Sequence, residues 1–315
     1  MNQGSPTPRV VFFGTSDFAL PSLQILFDAK YTIVSVVTAP DQPRDRKRTI
    51  TPSPVKGLAL QLGLTVHTPG KLDDTFLKTF KELRADVCII VAYGKIIREN
   101  YLSVPRFGFI NIHPSLLPHY RGPSPIQTAI LNGERETGIT LQRIDAQVDH
   151  GPILAQTKYE IPRNQYYPEV AQTLSQRGAD LLVNTLPRYL NGELQLEEQD
   201  HGRATFSHML SRKDGEIDWS RSAEEILNQI RALSHEPGTW TTWQGETLRI
   251  MRAEVSNQHS PDTSPGRVIQ LENGVAVQTG TGLLAVTIVQ REGGKRMNIQ
   301  QFVQGKKDFI GSILG

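Results

Sequence analysis

Short apolar runs alternate with amphipathic stretches along the first part of the chain. Arg9-Val-Val-Phe-Phe13 is an apolar run closed by Gly14, and Phe18, Leu20, Leu23, Ile25, Leu26 and Phe27 then suit one face of a helix. Thr32–Val37 is rich in β-branched residues and reads as a second strand. The alternation continues with a helix near 54–63, a strand at 65–67, a helix near 73–83, a strand at 86–92 and a strand at 108–113. Apolar strands separated by amphipathic helices predict a doubly wound, mostly parallel α/β sheet covered on both faces. Such sheets bind ligands at the carboxyl ends of their strands, so the residues that end each run carry the interest.

Further along, the pattern predicts a helix near 126–131, an apolar stretch over 138–144 and a long helix near 166–190. Residues 191–206 are polar and aperiodic, as a linker would be. A helix at 223–233 and short apolar runs at 248–255, 267–271, 275–279 and 283–289 follow, separated by turn residues. Short strands spaced in this way predict a small, OB-like β-barrel. The expected organisation is a catalytic domain over 1–190, a linker over 191–206 and a β-barrel domain over 207–315.

Length agrees with two domains, since 315 residues exceed what one core usually organises. A single cysteine, Cys88, excludes a disulfide framework and a thiolate-rich zinc site. It lies inside an apolar strand pattern and reads as core. No apolar run approaches the ~20 residues that a membrane-spanning helix needs. The opening MNQGSPTP has neither a secretory nor an organelle-targeting pattern, so the cytoplasm is the expected address. The net charge of +2 argues against coating nucleic acid by bulk electrostatics. Its distribution changes that picture. Arg44, Arg46, Lys47 and Arg48 crowd one loop, and Arg291, Lys295, Arg296, Lys306 and Lys307 stand against Glu292 alone over 291–307.

Two residues carry the candidate chemistry. Asn111 and His113 are two apart at the end of a predicted strand, so their side chains share a face. The turn-rich run Pro114-Ser-Leu-Leu-Pro118 stiffens the exit, and Asp145 and Asp149 flank a loop that ends at Gly151. A carboxylate returning toward His113 would orient its ring and favour the imidazolium. Residue types alone leave two other readings open: a hydrogen-bonded pair near a sheet edge, and a metal site drawn from His113, His119, Asp149 and His150. The first turn, Gly14-Thr-Ser-Asp-Phe18, has one glycine of the dinucleotide fingerprint, which disfavours a Rossmann dehydrogenase.

The run Asn111-Ile-His-Pro-Ser-Leu-Leu-Pro118, with Arg121-Gly-Pro-Ser-Pro-Ile126 and Asp149-x-Gly151, resembles the signature of the formyltetrahydrofolate-dependent formyltransferases. Gly14-Thr-Ser-Asp-Phe-Ala19 is similar to another turn of that family. Pro40-Asp-Gln-Pro43 with its basic loop, Pro52-Ser-Pro-Val-Lys56, Asp218-Trp219, Pro237-Gly-x-Trp240 and Gly293-Gly-Lys-Arg-Met297 narrow the resemblance to the members that act on methionyl-tRNA. Departures are Gln147 where the family has glycine, Thr128 where tryptophan is common, and Ser234-His-Glu236 in place of a more aromatic stretch.

The resemblance implies transfer of a formyl group from 10-formyltetrahydrofolate to the α-amino group of initiator methionyl-tRNA, by a cytoplasmic monomer without a metal. Asn111 and His113 would donate to the oxyanion of the tetrahedral species, with Asp149 holding His113 charged and assisting proton transfer. Ser115, Leu116, Leu117 and Pro118 would form the folate wall, joined by Tyr93, Gly94 and Asp145. Arg44, Arg46, Lys47 and Arg48 would enter the acceptor stem near its weakly paired end, Arg46 foremost, and the 291–307 patch would meet phosphates. A formyltransferase acting on a nucleotide sugar or small amine, a hydrolase of the folate and a non-catalytic tRNA-binding module are the rival readings.

Overall fold

A computed structural model describes residues 8–43, 50–258 and 264–315. Two compact units divide the chain. The first holds residues 1–125, 136–160 and 171–207, and the second holds 126–135, 161–170 and 208–315.

The first unit opens with β1 (Arg9–Gly14), α1 (Leu20–Asp28) and β2 (Thr32–Val37). A two-residue pair of strands, β3 (Gln42–Pro43) and β4 (Ile50–Thr51), leads into α2 (Pro54–Gln61) and β5 (Val66–His67). Then come α3 (Asp74–Glu82), β6 (Val87–Val91), the one-turn α4 (Glu99–Leu102) and β7 (Phe109–His113). Strands β8 (Glu136–Arg143) and β9 (Ile153–Glu160) complete the strands of this unit; α5 (Pro125–Leu131) lies in the second unit from residue 126 on, and α6 (Tyr167–Leu190) belongs to the second unit over 167–170 and to the first over 171–190.

The seven-stranded sheet has the order β5-β2-β1-β6-β7-β8-β9. Strands β5 to β7 are parallel, whereas β8 runs antiparallel to β7 and β9 antiparallel to β8. The central strands β1 and β6 are apolar almost throughout and buried, as expected where helices cover both faces. From β1 the chain winds outward to β2 and β5, then returns to β6 on the other side. The strand order therefore reverses between β1 and β6, and the carboxyl ends of β1, β6 and β7 open at that switch point. Gly14 ends β1 there, and a Cβ on it would lie 2.8 Å from the Phe12 ring and 3.1 Å from the Val91 carbonyl. Thr15 ties neighbouring strand ends together, because its hydroxyl donates to Tyr93 O at 3.3 Å and accepts from Ala39 N at 3.4 Å.

Helix α2 starts where Ser53 caps the Lys56 N–H with Pro54 in the first position, and α3 starts where Asp73 accepts from Thr75 and Phe76. Beneath α3, Phe13, Phe80, Tyr101 and Phe109 form an aromatic core with ring centroids 5.3–6.0 Å apart. Cys88 is fully buried, and burial pushes its thiol up well above its ordinary value.

The second unit contains α7 (Ala223–Ala232), then β10 (Trp240–Trp243), β11 (Glu246–Ser256), β12 (Val268–Leu271), β13 (Gly274–Gln278), β14 (Leu283–Arg291), β15 (Met297–Asn298) and α8 (Ile299–Gly305). Its sheet follows β10-β11-β14-β13-β12, with β15 beside β14, all antiparallel. Register shifts near Arg252 bend β11. The result is a curled antiparallel half-barrel whose path ends at β10 and β12, where the OB-like expectation was a closed barrel. Trp243, Phe302 and Phe309 stack edge to face in its core at 5.0–5.6 Å. No described helix is long and apolar enough to cross a membrane.

Candidate active site

The boundary between the parallel and antiparallel halves of the sheet sets the site. Antiparallel register places Asn111 opposite Gln142 and His113 opposite Thr140. After β8 the chain turns through residues 144–151 and brings Asp149 back over this strand end. Asp149 Oδ1 accepts from Gln142 Nε2 at 2.7 Å and from Asn111 Nδ2 at 3.3 Å, and Oδ2 accepts from the Gly122 N–H at 2.8 Å. His113 Nδ1 stands 3.5 Å from Asp149 Oδ1, with side-chain exposures of 5% and 12%. His113 Nε2 lies 2.9 Å from the Tyr120 carbonyl; a carbonyl only accepts, so Nε2 carries a proton. The carboxamide, imidazole and carboxylate singled out in the sequence thus meet at one strand terminus. In this conformation the imidazole is already engaged at both nitrogens.

Loop geometry depends on unusual backbone. Asp149 has φ 49° and Tyr120 φ 58°, both left-handed, whereas Gln147 stays outside that region. Gln147 therefore fills the family's glycine position without strain, and its N–H donates to Asp145 Oδ1 at 2.9 Å. Gly151 is required for another reason: a Cβ there would sit 1.9 Å from the Arg143 carbonyl oxygen.

The run 115–118 forms a braced wall. Ser115 and Leu117 are buried, while Leu116 and Pro118 are half-buried. Ser115 Oγ donates to His119 O at 2.6 Å, and Thr140 Oγ1 donates to Ser115 O at 2.7 Å while accepting from Leu117 N at 3.1 Å. Gln156 Nε2 donates to Leu117 O at 2.9 Å. The carbonyls of Leu116 and Pro118 accept from the N–H groups of His119 and Thr205. Each carbonyl of the wall thus accepts from a group of the protein, and Leu116 and Pro118 are its half-buried members. Tyr93 is core, 4% exposed and packed edge-on against Phe13; among the described residues its hydroxyl has no partner, and burial pushes it up.

Gln142 and Gln199 were not singled out by the sequence, and Arg121 entered only as the first residue of the Arg121–Ile126 run, with no role given to it. Gln142 stands in a strand that also holds Glu136, Thr137, Thr140 and Arg143, and Gln199 lies in the aperiodic stretch, so neither breaks a hydrophobic period that would mark it. Arg121 is 4% exposed; burial lowers its guanidinium below the ordinary value, opposed by the charges of Asp149 and Asp145. His150 donates from Nδ1 to Asp145 Oδ2 at 2.6 Å and stacks on His201 with centroids 3.9 Å apart. No group of three or more His, Cys, Asp or Glu among the described residues is arranged to hold a metal ion.

Arg44, Arg46, Lys47 and Arg48 lie outside the described residues. The base of their loop is described and braced: β3 pairs with β4, Lys56 Nζ meets Asp41 at 2.6 Å, and the buried hydroxyls of Thr38 and Ser53 lie 2.7 Å apart. In the second unit Arg291 pairs with Glu246, whereas Lys295, Arg296 and Lys307 are exposed.

Residues 8–190 match the formyl transferase family, and residues 209–307 match the formyl transferase C-terminal domain. The chain belongs to the formyl transferase family. Among its relatives, the methionyl-tRNA formyltransferase of Roseiflexus castenholzii is 43% identical over 98% of this chain and 99% of its own length. That of Synechococcus sp. is 43% identical over 96% and 97%. A sugar 3N-formyl transferase solved in the presence of dTDP and 5-N-formyl-THF has a TM-score of 0.66 at 22% identity, covering 91% of this chain and 98% of its own. The N-formyltransferase of Helicobacter canadensis, solved with folinic acid and dTDP-3-aminofucose, reaches 0.68 at 21% identity, covering 89% and 99%. These neighbours share the formyl transferase fold, and the family is the one that the run from Asn111 to Pro118 resembles.

Proposed function

We propose that the protein transfers the formyl group of 10-formyltetrahydrofolate to the α-amino group of initiator methionyl-tRNA, giving N-formylmethionyl-tRNA for translation initiation. The convergence of Asn111, His113 and Asp149 at the end of β7 carries the reading, in a chain 43% identical over nearly its full length to a methionyl-tRNA formyltransferase. The residues beside this strand end suit a flat, polar-edged folate. Leu116 and Pro118 offer half-buried apolar surface, and Gly94, at φ 76°, has open space where a side chain would stand. Bound, the folate supplies the activated formyl carbon.

The chain's own groups do the rest. The attacking amine arrives on the substrate, so the burial of Cys88 removes nothing the reaction needs. Asn111 directs one N–H at Asp149 and keeps the other for the oxygen that gains charge as the amine adds. His113 exchanges Tyr120 for that same oxygen, and Asp149 balances the imidazole and helps carry the amine's proton to the folate nitrogen, which leaves as its bond to the formyl carbon breaks. A positioned donor of this kind contributes about 3–4 kcal/mol to transition-state stabilisation.

Residues 1–190 carry the chemistry and 207–315 hold tRNA, in a cytoplasmic monomer. Arg44, Arg46, Lys47 and Arg48, which follow β3 and precede β4 in the sequence, meet the end of the acceptor stem. Lys295, Arg296 and Lys307 meet phosphates, which makes affinity salt-sensitive. The decisive experiment is folate-dependent formylation of methionyl-tRNA by the purified protein. Activity is expected in the native protein and should fall by about 10²-fold or more, without vanishing, in His113→Ala and Asp149→Ala. Arg46→Glu should weaken use of initiator tRNA; unchanged tRNA kinetics in that variant would sink the tRNA reading.

A further inference from the structure

Residues 191–206 have the composition of a linker, yet Gln199 within them is 5% exposed. Its amide is fully engaged. Nε2 donates to the carbonyls of Asp149 at 2.9 Å and Gly151 at 2.7 Å, and Oε1 accepts from Arg121 Nε at 3.2 Å and Nη2 at 2.7 Å. Flipping the amide would set its NH₂ against the guanidinium and its oxygen against two carbonyls, so the orientation is determined. Arg121 is itself strapped to the same segment: its N–H donates to Thr205 O at 2.9 Å, its carbonyl accepts from Ser207 N at 2.7 Å, and Nη2 reaches His201 Nδ1 at 2.9 Å.

The two carbonyls that Gln199 holds are that of Asp149 itself and that of Gly151, so it fixes the backbone immediately after the Asp149 carboxylate. Asp149 is left-handed at φ 49°, a conformation that a non-glycine residue keeps only when its surroundings enforce it. Arg143 N–H to Pro152 O at 2.9 Å closes the far end of the loop. Asp145 and the His201 ring hold the His150 side chain, and among the described residues Gln199 is the side chain that holds the backbone carbonyls of the turn at Asp149 and Gly151.

We propose that Gln199, anchored by Arg121, is a positioning residue that holds the Asp149 loop in the conformation presenting its carboxylate to Asn111, His113 and Gly122. This inference rests on the formyl-transfer reading and deepens it. Gln199 acts through Asp149 and touches no reacting atom.

Gln199→Glu separates this role from simple packing, because a carboxylate keeps the acceptor for Arg121 but has no N–H for the two carbonyls. The expected result is a fall in kcat of about 100-fold, the scale of a misplaced catalytic group, with KM for 10-formyltetrahydrofolate and for methionyl-tRNA within a few-fold of native. In the Asp149→Ala background the same change should produce no further loss, since residues acting as one unit are non-additive. The Gly122 amide proton, bonded to Asp149 Oδ2, gives a readout independent of activity: its downfield NMR resonance should move in Gln199→Glu in the direction seen in Asp149→Ala. Gln199→Met takes its place if Gln199→Glu fails to fold. An unchanged kcat, an additive loss in the Asp149→Ala background, or an unmoved Gly122 resonance overturns the proposal. A native protein that formylates nothing overturns the functional reading instead, and the Gly122 resonance still decides the positioning role.

Discussion

His113 Nε2 lies 2.9 Å from the carbonyl oxygen of Tyr120. That bond fixes which nitrogen carries a proton, while Nδ1 faces Asp149 at 3.5 Å. A substrate oxygen that uses His113 must displace the carbonyl, whereas Asn111 has an N–H beyond the one aimed at Asp149. Both side chains are expected to matter, each at the chemical step. Asn111→Ala and His113→Ala should each lower the single-turnover formylation rate by about 10²–10³-fold, with methionyl-tRNA binding little changed. Loss of tRNA affinity in place of rate would contradict this assignment.

Gly151 carries a second expectation. A methyl group there would lie 1.9 Å from the Arg143 carbonyl oxygen, so Gly151→Ala must displace the loop bearing Asp149. A shift on the order of 1 Å in a catalytic group lowers rate by about 10²-fold. Steady-state kinetics should show a fall in kcat/KM of that size, and a native value would mean that the loop relaxes without moving Asp149.

Tyr93 tests the folate wall from the other side. Its hydroxyl is buried without a partner among the described residues, and burial pushes its ionisation upward. Removing an unsatisfied buried polar group relieves about 1–3 kcal/mol of desolvation. Tyr93→Phe should therefore raise the apparent Tm by about 2 °C or more and leave KM for the folate unchanged. Calorimetry and kinetics on one preparation check both, and a weakened folate KM would return the Tyr93 hydroxyl to the wall.

Asp214 predicts an acid limb in the second unit. The Ser211 hydroxyl, its backbone N–H and His208 hold its carboxyl down to about 2, from an ordinary value of 3.8. The unfolded chain binds a proton at the higher pH, so the contribution is complete above the unfolded value and is lost as pH falls through the folded one. Asp214→Asn should lower Tm relative to native at pH 6, and the gap should narrow between about pH 4 and pH 2. A gap constant across that range would show that Asp214 does not titrate with folding.

Local periodicity made much of the fold legible. The runs at 9–13 and 87–91 are apolar because both faces of a central parallel strand are buried, and the N-x-H spacing carries its own evidence that Asn111 and His113 share a face. Strand β9 left a weaker trace. At the sheet edge its outward residues are exposed, which dilutes the apolar signal, so the antiparallel half of the sheet was not foreseen. The linker composition of 191–206 was equally legible, and it concealed Gln199.

Residue types and spacing were enough to nominate Asn111 and His113, because strand alternation acts over a few residues; they left Asp145 and Asp149 both open, and the family resemblance chose Asp149. What closes the site acts over longer range. Asp149 meets Asn111 across 38 positions, and Gln199 meets the Asp149 carbonyl across 50. Such contacts depend on the register of β7 against β8 and on how the chain returns over the sheet. A polar side chain buried by that return leaves no hydrophobic period behind. Only tertiary packing therefore decided that a carboxylate, two glutamines and a buried arginine would assemble around the pair that local pattern had marked.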